Sequence, residues 1–359
     1  MKHYLAEALH GVCRSICRMY CRAAGHAAVT LLACLPASSL WAQVVRLPAV
    51  MPPEQCHPGQ LVAHPGSSAE LLQAPGAEEP ALMKLTAPVA GDRSCDAGPR
   101  DARPGLFQKL IFSSTWLAAG GDNDPGMIDL GLKAVFAYPC PTRDSPLIIT
   151  PGFAVHYLDG PAVPDLPPQV FDAYAQFRWM HRHSRRWAID LAITPGVFSD
   201  FEQGADEALR ITGHGAVLWT WTPTLKALLG VAYLDREDIG VLPIGGLIWT
   251  PCDGMKFELA APRPRIAVRT SYRGDVEDWL YVAGELGGGT WAIRRASGQN
   301  DLVTYRDWRA ILGVQRKALH GIDAKLEVAY VFGRKLQYES PTANLEPAGT
   351  VMVRGGLTY

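Results

Sequence analysis

Two histidines near the middle of the chain are the first residues whose type and spacing could support chemistry. His181 and His183 stand two positions apart on either side of an expected tight turn. Such a pair could bind a metal ion. The same short segment also holds Arg182, Arg185 and Arg186, so a solvated basic turn is the favoured interpretation and we predict no metal site.

A hydrolytic site would have to be built around His214. Hydrolases that act on lipids within a membrane need a lipid-facing Ser–His pair and a polar residue to orient the histidine. Thr212 shares the polar face with His214, yet no serine lies two places away. Hydrolysis therefore stays an alternative, and we assign no catalytic residue.

Acidic segments supply the oxygen ligands that calcium prefers, and they could also bridge surface glycolipids through divalent ions. They occur at 122–124, 200–207 and 235–238. None has EF-hand spacing, so solvated loops are the favoured interpretation and no cofactor is predicted. The triplet 287–289, three consecutive glycines, lacks a phosphate-binding context and indicates a crowded or bent strand.

Charged residues that alternate with apolar ones are more informative. In segments 185–198 and 323–338, Asp190, Lys325 and Glu327 alternate with apolar residues. One face of each element is therefore charged while the other is apolar. Which environment the charged face meets depends on the type of secondary structure, which is considered next.

The dominant period after Gly105 is two. Apolar side chains alternate with polar or small ones, most clearly in 127–138, 169–181, 224–235 and 323–338. This is the pattern of a strand with two different faces, and no comparable helical stripe appears. The sequence predicts an all-β protein.

Strand length favours a membrane barrel over a soluble sandwich. Most predicted strands have ten or more residues, whereas soluble strands centre on about five or six. A tilted spanning strand needs about nine to eleven. Aromatic residues also fall near strand ends, where a bilayer meets water. They are Trp116, Trp179, Trp187, Trp219, Trp221, Trp249 and Tyr338.

Connection lengths alternate as they do in outer-membrane barrels. Short connections are expected near 181–185, 223, 251–254 and 320–323. Longer ones are expected near 119–126, 159–168, 200–207, 236–240 and 340–350. The sequence therefore predicts an antiparallel transmembrane β-barrel.

We predict fourteen strands, with twelve as the alternative. They are 105–118, 127–138, 147–158, 169–181, 185–198, 208–222, 224–235, 242–251, 255–261, 264–272, 277–295, 301–317, 323–338 and 350–359. The division at 262–264 decides the count. If 262–264 does not divide two strands, another division must restore an even number of strands, for example at 287–289.

A barrel in lipid places its charged face in the lumen. Arg or Lys on lipid near the midplane would cost about 2–4 kcal/mol each, whereas in the lumen they can pair with each other and with water. The predicted lumen-facing residues are Asp129, Lys133, Asp172, Arg178, Asp190, Arg210, Lys226, Lys325, Glu327 and Arg354.

The last residues alternate toward an aromatic end. Val351, Val353, Gly355, Leu357 and Tyr359 occupy every second position. This resembles the assembly signal of outer-membrane barrels, in which the last strand ends in Phe, Tyr or Trp. The resemblance implies that the barrel-assembly machinery is a partner. An ordinary final strand that ends in tyrosine is the alternative.

The N-terminus predicts export. A basic leader precedes the apolar stretch 27–41, and cleavage after Ala42 gives a signal peptide over 1–42. Lipoprotein processing at Cys34 is the alternative.

Segment 43–104 contains ten prolines and no aromatic residue, which predicts a Pro/Ala-rich disordered periplasmic arm. Cys56 and Cys95 in this arm could form a disulfide in an oxidising periplasm. The aromatic-rich remainder, 105–359, is the predicted barrel.

Three stretches resemble a known family. They are 141–160 (PTRDSPLIITPGFAVHYLDG), 194–210 (TPGVFSDFEQGADEALR) and 233–251. They are similar to an uncharacterised bacterial outer-membrane β-barrel family, a domain of unknown function, over roughly 105–359. The resemblance implies the fold and the membrane, and it transfers no catalytic residue.

These patterns together predict a barrel in the outer membrane of a double-membraned bacterium. With 34 basic and 35 acidic residues, the charge gives no indication of nucleic-acid binding. The favoured function is a passive channel or transporter for small solutes. A non-conducting scaffold or receptor that acts through its long loops is one alternative, and an outer-membrane hydrolase is another.

Overall fold

The structure is a computed structural model. The residues that it describes are 105–120, 124–142, 145–160, 165–202, 208–236, 238–319 and 321–359. The predicted signal peptide 1–42 and arm 43–104 lie outside these residues, as do parts of the three acidic segments, 122–123, 203–207 and 237.

The described residues form fourteen strands, which confirms the predicted all-β class and strand number. They are β1 Phe107–Leu117, β2 Gly126–Thr142, β3 Ser145–Asp159, β4 Gln169–Arg182, β5 Trp187–Ser199, β6 Leu209–Thr222, β7 Leu225–Tyr233, β8 Val241–Cys252, β9 Met255–Ala261, β10 Arg265–Arg273, β11 Val276–Arg294, β12 Asn300–Ala318, β13 Asp323–Tyr338 and β14 Thr350–Thr358. Among the described residues, no helix is long and apolar enough to cross a bilayer.

The strands close into one antiparallel barrel. Each pairs with its neighbours along the chain, and β1 pairs with β14 from Ile111–Thr358 to Leu117–Met352. The alternative count of twelve is wrong, because the segment at 262–264 does separate two strands, β9 and β10, that pair with each other.

The barrel is apolar on its outside. Leu229 of β7 is 75% exposed while its neighbour Leu228 is buried, and Leu191 of β5 is 44% exposed. Similar exposed apolar residues occur on every strand from β1 to β14. A soluble barrel would bury these side chains, whereas a barrel in lipid requires them outside.

Stacked tryptophan rings lie at the end of the barrel where β5 begins and β6 ends. Trp187 and Trp219 stack with ring centroids 5.8 Å apart, and Trp219 stacks on Trp221 at 5.5 Å. Trp249 and Phe257 stack nearby on β8 and β9, at 5.1 Å. Amphipathic rings at one height are typical of the depth where a bilayer meets water.

Short and long connections lie at opposite ends, as predicted. The short-turn end contains 143–144, 183–186, 223–224, 253–254, 274–275 and 319–322. The long-loop end contains 118–125, 160–168, 200–208, 234–240, 295–299 and 339–349. The connection 262–264 also lies at the long-loop end, although it is short. Because β9 and β10 are short strands, the barrel wall has less height where they pair.

The hairpin of β11 and β12 extends beyond the ends of β9 and β10 and leaves the barrel wall there. β10 pairs with β11 only as far as Ala283, and Gly284 then donates to the carbonyl of Pro264. Beyond that, Ala292 bridges to Ser199 of β5, although five strands lie between β5 and β11 around the barrel. The upper part of the hairpin therefore crosses the lumen, while its β12 edge stays paired with β13 from Val303 to Arg306.

Gly288 lies where β11 leaves the wall. Its φ is +109°, a conformation that L side chains rarely adopt, and a Cβ there would collide with the carbonyl oxygen of Tyr305. The structure thus gives the glycine triplet the role of a bend.

Candidate functional site

The inside of the barrel holds a lattice of ion pairs centred on Glu285 of β11. Arg354 of β14 donates to both of its carboxylate oxygens, at 3.0 and 2.9 Å, and also contacts Glu327 of β13. Two strands separate β14 from β11 in the wall, so these side chains meet through the lumen.

Further cations surround the same carboxylates. Arg309 of β12 donates to Glu285 at 3.1 Å and to Asp307 at 2.8 Å, while Arg263 approaches Glu285 to 3.3 Å. Tyr281 donates its hydroxyl to Glu327 at 2.5 Å. Glu285 is therefore shared among three arginines, which is the arrangement that a buried carboxylate requires.

A second group lies across the lumen, near the tip of the hairpin. His156 of β3 contacts Asp129 at 2.7 Å and Asp172 at 3.1 Å, and it is buried. Trp291 of the hairpin donates its indole N–H to Asp172 at 2.7 Å. The hairpin is thus bound to the β2–β4 wall by a polar network.

The structure places the predicted lumen-facing residues in separate groups. Glu327 and Arg354 join the Glu285 lattice, and Lys325 neighbours Glu327 on the inner face of β13. Asp129 and Asp172 flank His156.

The other predicted lumen-facing residues lie away from these two groups. Arg178 pairs with Asp190 at 2.8 Å, and Lys133 lies 6.0 Å from the Tyr174 ring. Arg210 contacts Asp235 at 3.6 Å, and Lys226 is at the short-turn end of β7. Their functional roles stay predictions.

The tip of the hairpin is bound to neighbouring loops. Arg295 donates to Asp165 of the β3–β4 loop at 2.8 Å and to Asp301 at 2.8 Å. Asp165 also accepts from the Ala296 amide at 2.6 Å. Because Arg295 and this amide stabilise the carboxylate, the pKa of Asp165 lies below its ordinary value.

The opposite edge of the hairpin contacts the β7–β8 loop. Arg236 donates to the carbonyls of Tyr305 at 3.0 Å and Gly287 at 3.5 Å, and it pairs with Asp238 at 3.1 Å. Arg306 also reaches Asp238, at 3.3 Å. Loops from two sides of the barrel therefore hold the hairpin across its mouth.

Apolar side chains fill the space around the hairpin. One buried cluster contains Leu117, Val170, Ala267, Tyr281, Trp291, Ile293, Val303, Tyr305, Ile311, Ala329, Val331, Leu336, Tyr338 and Met352. They come from β1, β4 and β10 to β14. The long-loop half of the lumen thus has the packing of a protein core.

Apolar residues also line the inner face of β6 to β9. The cluster contains Ala216, Leu228, Ala232, Leu234, Ile244, Ile248 and Ala260. The alternation of each strand predicted apolar residues on the lipid side and polar residues in the lumen. This assignment is incomplete, because the interior contains apolar clusters beside its charged groups.

A Ser–His contact occurs that the sequence analysis missed. Ser145 hydrogen-bonds Nδ1 of His181 at 2.6 Å, and the His181 ring stacks on Trp179. Ser145 is buried. Among the described residues no carboxylate contacts His181, so the orienting acid of a hydrolase triad is missing there.

The acidic loop residues that the structure describes bind backbone groups and arginines. Asp124 accepts from the Ala348 amide at 2.8 Å, and Asp200 accepts from the Arg294 amide at 2.7 Å. Asp235 is the partner of Arg210. Across the described part of the chain, no group of three or more His, Cys, Asp or Glu is arranged to hold a metal ion.

The residues that sequence reasoning missed are His156, Glu285 and Trp291. Glu285 and Trp291 do follow the period of two, but their partners lie on strands far away in the chain. Only the closed barrel brings them together. The glycine triplet beside Glu285 was the one local signal that this strand departs from the wall.

Comparison with known proteins assigns no family. No family description and no curated protein matches the sequence. Among solved structures, a bacterial polysaccharide outer membrane secretin shares 11% identity at a TM-score of 0.37, over 72% of this chain and 99% of that one. LpxR from Salmonella typhimurium shares 10% identity at a TM-score of 0.35, over 70% and 99%.

A mutant of the Rh. blastica porin shares 10% identity at a TM-score of 0.26, over 71% of this chain and 99% of that chain. At these identities and TM-scores, the likenesses transfer no activity, substrate or site residue to this chain.

Proposed function

We propose that this chain is a gated channel for small solutes in an outer membrane, with the β11–β12 hairpin as its gate. The observation that carries the proposal is the division of the lumen. Its short-turn half contains charged side chains such as Arg178 and Asp190 beside buried apolar clusters, whereas its long-loop half is closed by a hairpin that belongs to the barrel itself.

The placement in the membrane is supported by the outer surface. An exposed apolar belt with stacked tryptophans at one end matches the hydrocarbon and interface of a bilayer. Closed barrels are one of the two folds that satisfy every backbone group in lipid. Insertion by the barrel-assembly machinery belongs to the same proposal.

The hairpin has the attachments of a gate. Its β10-side edge leaves the wall at Gly284, and the bend at Gly288 provides a pivot. Its tip is held by Arg295, Asp165 and the bridge to Ser199, which involve polar or backbone groups that water could replace, whereas Trp291 and Ile293 pack in the apolar cluster behind the tip. Release of the tip would open the long-loop mouth.

A disulfide across the bridge tests the proposal. Cysteines at Ala292 and Ser199, in a chain whose native cysteines are serine, should lock the hairpin when oxidised. We expect single-channel currents in planar bilayers that are suppressed by oxidation and restored by reduction. A barrel that lacks 289–300 should stay open under both conditions.

The matched control places cysteines at Ile311 and Ala329, which face each other within the wall pair β12–β13. Their oxidation should leave the currents unchanged. If the barrel without 289–300 carries no current although it is folded, the channel proposal is wrong. The alternative of a scaffold or receptor that acts through its loops would then be favoured.

A further inference from the structure

The turn between β4 and β5 carries exposed basic side chains at the short-turn end of the barrel. Its residues 183–186 are His-Ser-Arg-Arg, and all four are exposed. Within the described part of the chain, neither Arg185 nor Arg186 forms an ion pair with a carboxylate. The two guanidinium groups therefore give this turn a net positive charge.

Hydrogen bonds fix the backbone of this turn. The Ser184 hydroxyl accepts from the amides of Arg186 at 3.2 Å and Trp187 at 3.1 Å, and the Ser184 amide donates to the Trp187 carbonyl at 3.1 Å. The carbonyl of Arg186 accepts from the Thr220 amide of β6 at 2.8 Å. The backbone of the turn is therefore held in place beside β5 and β6.

A stack of three tryptophans adjoins the turn on the outside of the barrel. Trp187 follows Arg186 in the chain, begins β5 and pairs with Trp219 of β6. The rings of Trp187, Trp219 and Trp221 stack in this order, and all three are exposed. Because tryptophan prefers the depth where a bilayer meets water, the stack places the turn at the height of the lipid headgroups.

The outward side chains next to the turn are apolar or aromatic. They include Phe177 on β4, Leu191 and Ile193 on β5, and Val217, Trp219 and Trp221 on β6. The carboxylate of β5, on Asp190, is bound to Arg178 on the lumen side. Among the described residues, an anionic headgroup beside the stack would therefore meet two guanidinium groups without an opposing carboxylate.

We propose that Arg185 and Arg186, together with the stack of Trp187, Trp219 and Trp221, bind the headgroup of an anionic phospholipid. The inference rests on the membrane placement within the proposed function. A guanidinium donates two parallel hydrogen bonds to a phosphate, and its charge attracts a headgroup that is negative overall. A zwitterionic headgroup brings its own ammonium group to the same place, so it gains less from the arginines.

Quenching of tryptophan fluorescence by brominated lipids tests the site. The full chain is refolded into mixed bilayers of phosphatidylglycerol and phosphatidylcholine, with bromine on the acyl chains of one lipid at a time. The signal of the stack is the part of the quenching that the variant W187F/W219F/W221F loses. We expect this part to show a preference for phosphatidylglycerol of about fivefold or more, because one basic side chain near an anionic membrane surface contributes about that factor.

The variant R185Q/R186Q should lose this preference, so that both lipids quench the stack equally. The variant R185K/R186K, which keeps the charge, should retain most of it. Heat-modifiable migration in gels checks that each variant is folded. An unchanged preference in folded R185Q/R186Q would overturn the site.

The matched control is R273Q/R316Q, which also removes two positive charges from the short-turn end. Both residues are exposed, but they lie on β10 and β12, which are not neighbours of β4, β5 or β6 in the wall. The preference at the stack should stay as in the parent. An equal loss in the control and in R185Q/R186Q would show a general effect of charge and would overturn a local site.

Two outcomes separate this inference from the channel proposal. If neither brominated lipid quenches the fluorescence, the barrel does not contact lipid, and the membrane placement itself is wrong. If both lipids quench the parent equally while the hairpin-deleted barrel conducts, the lipid site alone is wrong.

Discussion

Arg354 of β14 binds both carboxylate oxygens of Glu285 of β11, at 3.0 and 2.9 Å, across a lumen that two intervening strands enclose. The pair therefore joins separate parts of the wall, and it does so where both side chains are shielded from bulk water. Its contribution to stability should differ from that of ion pairs on the barrel surface.

Removal of one partner should be costly. Arg354→Met leaves the buried Glu327 and Glu285 with less compensation, and we expect a loss of about 3–5 kcal/mol in the free energy of unfolding. Urea unfolding of the barrel in detergent or lipid measures this. The exposed pair of Arg316 with Asp278 is the control, and Arg316→Gln should cost at most about 1 kcal/mol. Equal losses in both variants would show that the lumen does not shield the pair.

Strand β5 tests which face meets lipid. Leu191→Arg should cost about 2–4 kcal/mol if Leu191 lies near the bilayer midplane, whereas Leu191→Met should be nearly neutral. Stability alone cannot distinguish lipid from a protein core. Cysteines at 189, 191 and 193 should therefore react with a bilayer-confined probe, and those at 190, 192 and 194 with a water-soluble one. The reverse pattern of labelling would contradict the membrane orientation.

The bend at Gly288 should not tolerate a side chain. Gly288→Ala meets both an unfavourable φ and the carbonyl of Tyr305, and should cost about 1–3 kcal/mol. If the hairpin is the gate, the same variant should also raise the open probability in bilayers. Gly245→Ala is the control, because the nearest atoms to its new Cβ are 3.9 Å away. If the two variants had identical thermal stability, the backbone at Gly288 would not be constrained as we predict.

Acid should release the hairpin tip from the β3–β4 loop. The pKa of Asp165 is lowered by Arg295, so the pair stabilises the docked tip fully above about pH 4 and loses this effect as the pH falls through the lowered value. A spin label at Ser297 should be immobilised at neutral pH and mobile in strong acid. Asp165→Asn should make the label mobile throughout, and a label that is insensitive to both changes would show that other contacts hold the tip.

The final residue should matter for assembly. Tyr359 exchanges two backbone hydrogen bonds with Leu110, at 2.8 and 2.9 Å, and thereby extends the β1–β14 seam. Its deletion should lower the yield of inserted barrel more than deletion of several residues in 43–104. Heat-modifiable protein in membrane fractions measures the yield. Equal yields from the two deletions would argue against an assembly role for Val353, Gly355, Leu357 and Tyr359.

The wall of this protein could be predicted from the sequence because each strand carries its own signal. Alternation tells which face of β5 is apolar, and connection length tells which end a turn occupies. Alternation and connection length are both local properties of the sequence. The number of strands and their order can therefore be predicted from each segment separately.

The contents of the lumen could not be predicted in the same way. Trp291 and Asp172 are 119 positions apart in the chain and meet only after the barrel has closed. The upper parts of β11 and β12 also bury both faces, so their period no longer separates lipid from lumen. The glycines at 287–289 indicated a bend, but neither its direction nor the partner strand.

The bridge between Ala292 and Ser199 has a consequence for the order of folding. Five strands, β6 to β10, stand between its two residues in the wall, so β5 faces β11 only once those strands are in register. The hairpin must therefore dock late, into a cylinder that is already complete. Contacts that form so late contribute little to the folding transition state and act mainly on the rate of unfolding. Substitutions in the docked tip should accordingly leave insertion rates nearly unchanged while shortening the lifetime of the closed mouth.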